Sequence, residues 1–193
     1  MAATPNEIVD FWIEEVGPDG WYSVDPEIDK QIIERFGADR EAAKEGRLDD
    51  WQQTALGSLA LLILLDQFSR NMFRGDAEAF AEDEKAVAVA RIAIVKDQDQ
   101  EIPPPAQQFF YLPFMHSEDL AVMDYGIGML GTRTKLDDTL FHMKAHRRVI
   151  ERYGRFPHRN EALGRESSDA EKDYIESGGY MKIVKDMEAE KVG

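Results

Sequence analysis

"SLALLILLDQFSRNMF" occupies Ser58–Phe73 and decides the fold. Its core, Leu59–Leu65, is apolar on every side of a helix, and such a helix belongs at the centre of a bundle. The run is far shorter than the ~20 residues that span a bilayer. It ends on Asp66, with Gln67, Ser69, Arg70, Asn71 and Arg74 close behind. A carboxylate next to a fully apolar run needs a partner. Arg70 stands at i+4 and Arg74 at i+8 on nearly the same face. Two readings fit this pattern. Asp66 either orients Arg70 in the wall of a ligand pocket, or it closes an internal ion pair.

Helical signals continue outward from this segment. Upstream, "TPNE" gives Thr4 as an N-cap, Pro5 at the first helical position and Glu7 three residues on, a capping box. Ile8, Phe11 and Trp12 follow as an apolar stripe that Gly17–Pro18 ends. Asp25 and Pro26 open a second helix with Ile28, Ile32, Ile33 and Phe36 at helical spacing; Ala and Glu favour its continuation to Gly46. Downstream, an Ala-rich helix precedes "KDQDQEIPPPAQ", which reads as a linker. A short helix over about 106–112 is expected to stop at Pro113, with Ser117 capping the next one. A further helix runs over 137–153 with Gly154 as its terminal glycine. "SDAE" is a second capping box, Ser168 with Glu171. Alternating β-branched runs are absent. The pattern predicts an all-α fold of about seven helices, in one domain over 1–180 with a C-terminal tail over 181–193.

The 193 residues carry a net charge of −15 and contain no cysteine, which excludes disulfide and thiolate chemistry. The N-terminal stretch lacks a basic segment followed by an apolar one, so no signal peptide is expected. Residues 1–100 hold 22 acidic and 10 basic side chains, whereas 131–165 hold 4 acidic and 9 basic. An acidic whole repels nucleic acid and anionic membranes. The basic segment either faces acidic side chains within the fold or offers a place to a small anionic ligand or an acidic peptide.

That segment contains "HMKAHRRVIERYGRFPHRNEALGR", residues 142–165. His142 and His146 stand at i, i+4, a spacing a metal can use. No Glu follows the first histidine, so this is not a zinc-protease helix, and no metal or cofactor is expected. Pro157 forces Phe156 into an extended conformation, and Phe156 is expected to plug into the core. The loop carrying Arg155, His158, Arg159, Asn160 and Arg165 then has fewer conformations to lose on meeting a ligand. Its cations alternatively satisfy loose carbonyls at a helix end. In "FFYLPFMHSEDL", His116 precedes a helix start with Glu118 in its first turn, a place suited to a base or an anion-binding donor.

"LLILLDQFSRNMFRG", "FYLPFMHSEDL" and "HRRVIERYGRFPHRNEALGRES" together resemble the bacterial domain-of-unknown-function family 924. The likeness runs from "EIVDFW" to "YIESGG", nearly the whole chain. It implies a tetratricopeptide-like right-handed array of antiparallel helix pairs, and no known reaction, substrate or cofactor. The family's pattern includes Asp66, Gln67, Arg70, Asn71, Arg74, His116, Ser117, Glu118, His146, His158, Arg159, Asn160 and Arg165; His142 is outside it.

The functional expectation is a cytoplasmic protein in which three segments, around 66–74, 116–118 and 158–165, share a polar pocket for a small anion or acidic peptide. The ligand-binding set is Asp66, Gln67, Arg70, Asn71, Arg74, His146, Arg159, Asn160 and Arg165. The rival is a hydrolase or lyase acting on a phosphorylated or carboxylated small molecule. There His116 or His158 is the acid or base, Glu118 or Asp66 orients it, and the arginines stabilise developing charge. A protein-interaction scaffold is the third possibility. The sequence fixes no oligomeric state.

Overall fold

In the computed structural model, which describes residues 2–192, Leu59–Leu65 lies inside its unit, each side chain essentially without exposed surface. No strand is present among the described residues. Contacts divide the chain into two compact units, residues 1–113 and 114–193.

In the first unit, Thr4 caps α1 (Pro5–Asp10) through the expected capping box with Glu7. The helix continues as a π-helical turn over Phe11–Val16, and Gly17 redirects it into the short α2 (Gly17–Trp21). Asp25 caps α3 (Pro26–Lys44), which runs through Gly37 because nothing there breaks its hydrogen bonding. Thr54 caps α4 (Ala55–Leu62), which passes through a second π-turn, Ile63–Phe68, into α5 (Ser69–Met72). The Ala-rich α6 (Asp83–Val95) buries Ala86, Val89, Ala90 and Ala93, small side chains that allow close packing on α4. Aromatic edges fix the centre: Phe68 meets Phe36 at 5.3 Å and Trp12 at 5.5 Å between ring centroids. Such pairs add roughly 0.5–1.5 kcal/mol each beyond burial.

The proline-rich stretch does not act as a linker. Gln98 and Asp99 are buried, because Ser58 Oγ donates to Gln98 Oε1 (2.7 Å), Gln98 Nε2 donates to the Gln52 carbonyl (3.0 Å), and the Tyr111 hydroxyl donates to Asp99. Pro113 does not stop a helix either. It sits at the second position of the short α7 (Leu112–Met115), where its missing N–H is no loss.

The second unit is built on α8 (Leu120–Arg133) and α9 (Asp137–Tyr153). The cap of α8 is Asp119, which accepts from the Ala121 and Val122 amides; Ser117 instead accepts from the Asp119 amide. Gly154 ends α9 with φ +70°. Ser168 and Glu171 form the predicted capping box of α10 (Asp169–Glu176). A Gly178–Gly179 turn, both at positive φ, leads into α11 (Gly179–Val192). The segment read as a tail is thus a helix that docks. Ile183, Val184 and Met187 join Met123, Ala145, Val149, Ile150, Phe156 and Tyr174 in one core. No helix of the described residues is long and apolar enough to cross a membrane.

Candidate functional site

In the first unit the π-turn carries Asp66, whose exposure is 1%. Arg70 Nη1 lies 2.9 Å from its carboxylate and donates to its carbonyl oxygen (2.8 Å), and Gln67 Nε2 donates to the same carboxylate. Ser69 Oγ donates to the Leu64 carbonyl (3.3 Å). The polar side chains thus supply donors to carbonyls of a turn wider than an α-helix. Asp83 takes the other end of Arg70 at 2.9 and 3.1 Å. Burial opposes the charge on the Arg70 guanidinium, but the carboxylates of Asp66 and Asp83 outweigh it and raise its pKa. Asn71 and Arg74 line an open cleft of about 400 Å³ with Pro26, Asp29, Lys30 and Ile33. Both donate to Asp29, Asn71 Nδ2 at 2.7 Å and Arg74 Nη2 at 2.9 Å. A carboxylate of the protein therefore already stands where those two groups would meet an anion.

In the second unit the basic segment is matched by its own neighbours. Arg147 pairs with Asp124 and Glu151, Arg148 with Glu190, Arg155 with Glu171, and Arg165 with Glu118. Glu118 accepts from Arg165 Nη1 (2.7 Å), from Arg165 Nη2 (3.0 Å) and from the Phe156 amide (2.8 Å). Burial raises its pKa, but these three donors outweigh burial and hold it low. Both its oxygens are engaged in fixing the loop. Asn160 ties the loop to the start of α10. Its Nδ2 donates to Ser167 Oγ and to Glu171, and it is buried.

The loop is pinned as expected by Phe156, 1% exposed, with extended backbone ahead of Pro157. Two histidines lie against this ring, and a third lies against one of them. His146 meets Phe156 at 5.7 Å and His116 at 6.4 Å between centroids, and His158 meets Phe156 at 5.5 Å. Arg159 lays its guanidinium 4.6 Å from the Phe156 centroid and donates from Nη2 to the His116 carbonyl (2.9 Å). His158 is exposed, and His116 and His146 are partly so.

The tautomer of His146 follows from one contact. Its Nδ1 lies 2.9 Å from the His142 carbonyl oxygen. A carbonyl only accepts, so Nδ1 carries the hydrogen and Nε2 presents a lone pair. Nε2 hydrogen-bonds to no described residue. Burial pushes this imidazole down to about 3, with the imidazoles of His116, His158 and His142 adding to the shift and the His142 carbonyl opposing it. The i, i+4 histidines therefore do not converge on a common ion: one ring bonds the backbone of the other. Among the described residues no group of three or more His, Asp or Glu side chains is placed to hold a metal.

Sequence reading missed Tyr180. Its ring stacks on His146 at 4.4 Å between centroids, and its hydroxyl lies 2.6 Å from His142 Nδ1. Tyr180, Ile183, Val184 and Met187 form an i, i+3, i+4, i+7 stripe, a signal that was present in the tail.

Among curated proteins none matches the chain. Among solved structures, the protein of unknown function ATU0120 from Agrobacterium tumefaciens is similar, with a TM-score of 0.84 and 42% identity over 90% of this chain and 97% of that one. Neither this relative nor the matching family has a described activity. Residues 8–179, containing Asp66, His116, His146 and the Phe156 loop, match the family described as bacterial protein of unknown function (DUF924), and the chain belongs to it.

Proposed function

We propose that the histidine corner of residues 114–193 binds a small molecule bearing both a hydroxyl or amine donor and an anionic group. A hydroxy acid or a phosphorylated alcohol is the simplest such ligand. The observation that carries this reading is the fixed Nδ1–H tautomer of His146, which leaves Nε2 as an acceptor among rings. A neutral imidazole in that state accepts a hydrogen bond at any physiological pH and is too weak a base to take the proton. The anionic half of the ligand is drawn by charge. His116 stands against the His146 ring, His158 and Arg159 stand against the adjoining Phe156, and the nearby Glu118 is neutralised by Arg165. Arg165 and the Phe156 amide hold both oxygens of Glu118, which fixes the loop that carries His158 and Arg159.

The test uses glycolate, acetate and inorganic phosphate, followed by the histidine Cε1 proton resonances. Glycolate and acetate share the carboxylate, and only glycolate can donate to His146. One added neutral hydrogen bond is worth about 0.5–1.5 kcal/mol, so glycolate is expected to bind roughly 2–12-fold more tightly. His146→Leu is expected to erase that difference and leave acetate binding in place. Equal affinities in the unaltered protein, or glycolate binding that leaves the His146 resonance unmoved, count against the proposal.

A further inference from the structure

We propose that the C-terminal helix completes the ligand corner, with Tyr180 as a positioning residue that shields one face of the His146 ring from water. This rests on the reading of His146 as the acceptor of a ligand. The segment shared with the family ends at residue 179, so the wall comes from the next residue along. The geometry is specific. The Tyr180 ring covers one face of His146, and Phe156 and His116 meet the same ring edge-on. The Tyr180 hydroxyl is tied to His142 Nδ1, one turn earlier on α9. His142 Nε2 is 3.9 Å from the exposed Asp138, so the tyrosine hydroxyl is the hydrogen-bond partner of this ring at Nδ1. One residue of α11 thus holds both α9 histidines, covering the first and bonding the second.

The rest of α11 fastens this wall. Ile183, Val184 and Met187 are buried against α9 and its neighbours, and Arg148 forks onto Glu190 near the far end at 2.9 and 2.6 Å. Lys191 Nζ sits 3.7 Å above the Phe141 ring. The Gly178–Gly179 turn joins the helix to α10. Docking of α11 and cover over one face of His146 are therefore one event, and a ligand that needs the covered ring selects the docked helix.

The groups that act on the His146 ring are His142 on α9, His116 before α8, His158 on the loop and Tyr180 on α11, with Arg159 against the adjoining Phe156. Only Tyr180 among these is removed with α11. Burial is what keeps His146 neutral, so water admitted on the Tyr180 side restores its ordinary titration.

The experiment is a pH titration of the histidine Cε1 resonances in the ligand-free full chain. In the unaltered protein His146 is expected to stay flat between about pH 8 and 5. Tyr180→Ala is expected to make it titrate inside that window. Tyr180→Phe keeps the ring and is expected to leave His146 flat while displacing the His142 resonance, because that ring loses its hydroxyl partner. A merely structural role for Tyr180 predicts no such split between the two variants. Should Tyr180→Ala not fold, Glu190→Lys loosens α11 from its far end without touching the histidines, and the same His146 response is expected. A flat His146 in a folded Tyr180→Ala or, failing that variant, in Glu190→Lys overturns the inference. The glycolate comparison fails or succeeds separately, because this titration contains no ligand.

Discussion

Asp66→Ala is expected to lower the unfolding free energy by about 3–5 kcal/mol, the range for breaking a buried ion pair by removing one partner. The size follows from what is left behind. Arg70 has a side chain only 19% exposed, and it loses the carboxylate 2.9 Å away while keeping Asp83. Gln67 loses the acceptor of its amide, and a small void opens beside an apolar run with no room to relax. All three tryptophans lie in residues 1–113, so tryptophan fluorescence during urea unfolding reports this unit. Asp66→Leu combined with Arg70→Met is expected to regain most of the loss, since an apolar pair needs no solvation. Recovery is incomplete because Asp83 then lacks its guanidinium. A loss below about 1 kcal/mol for Asp66→Ala would mean the pair is solvated and the buried-pair account is wrong.

The same residue marks the boundary of what could be read in advance. The apolar run, the capping boxes at Thr4 and Ser168, the Asp25–Pro26 start and the Gly154 stop are local events, and local chemistry predicts them. The ion pair of Asp66 with Arg70 was legible for the same reason, being an i, i+4 contact. The π-turn beneath it was not, because a wider turn is set by packing against neighbours and leaves no spacing signature. Errors fell where burial overrides composition. "KDQDQ" looks like solvated linker, but its Gln98 and Asp99 are satisfied by Ser58, Gln52 and Tyr111 from distant positions.

The site shows a similar division. That Phe156 anchors the loop could be argued from Pro157, and the gathering of polar residues on it could be suspected from composition. The partner of each cation could not. Arg165 reaches back across 47 residues to Glu118, and Arg155 reaches 16 residues on to Glu171. The excess of positive charge over 131–165 is therefore mostly balanced within its own unit, by α8, α10, α11 and the turn at Glu118. What distinguishes the corner is the ring of histidines, whose composition signal is weak because four histidines in 193 residues are unremarkable until folded together.

The loop's second anchor gives the other large effect. Glu171, 3% exposed, accepts from Arg155 Nε (2.6 Å) and Nη2 (2.9 Å), from the Ser168 amide (2.8 Å) and from Asn160 Nδ2 (3.3 Å). The Arg155 bonds first, then the Ser168 amide, hold its carboxyl far below the usual 4.5. Glu171→Gln keeps the shape, removes the charge and is expected to cost about 2–3 kcal/mol at neutral pH. That is the upper part of the range for hydrogen bonds to charged groups. It falls short of a fully buried pair because Arg155 is 30% exposed and recovers some hydration. The pH dependence fixes the cause. A carboxylate whose folded pKa is depressed contributes its stability in full above the unfolded value near 4.5, and loses it as the pH falls toward the folded value. The gap between the two proteins is therefore expected to be widest at neutral pH and to close progressively below 4.5. All four histidines lie in this unit, so their Cε1 resonances follow its unfolding without interference from residues 1–113. A gap that stays constant through that acid range would assign the loss to packing and not to charge, because packing does not change when the carboxylate takes up its proton.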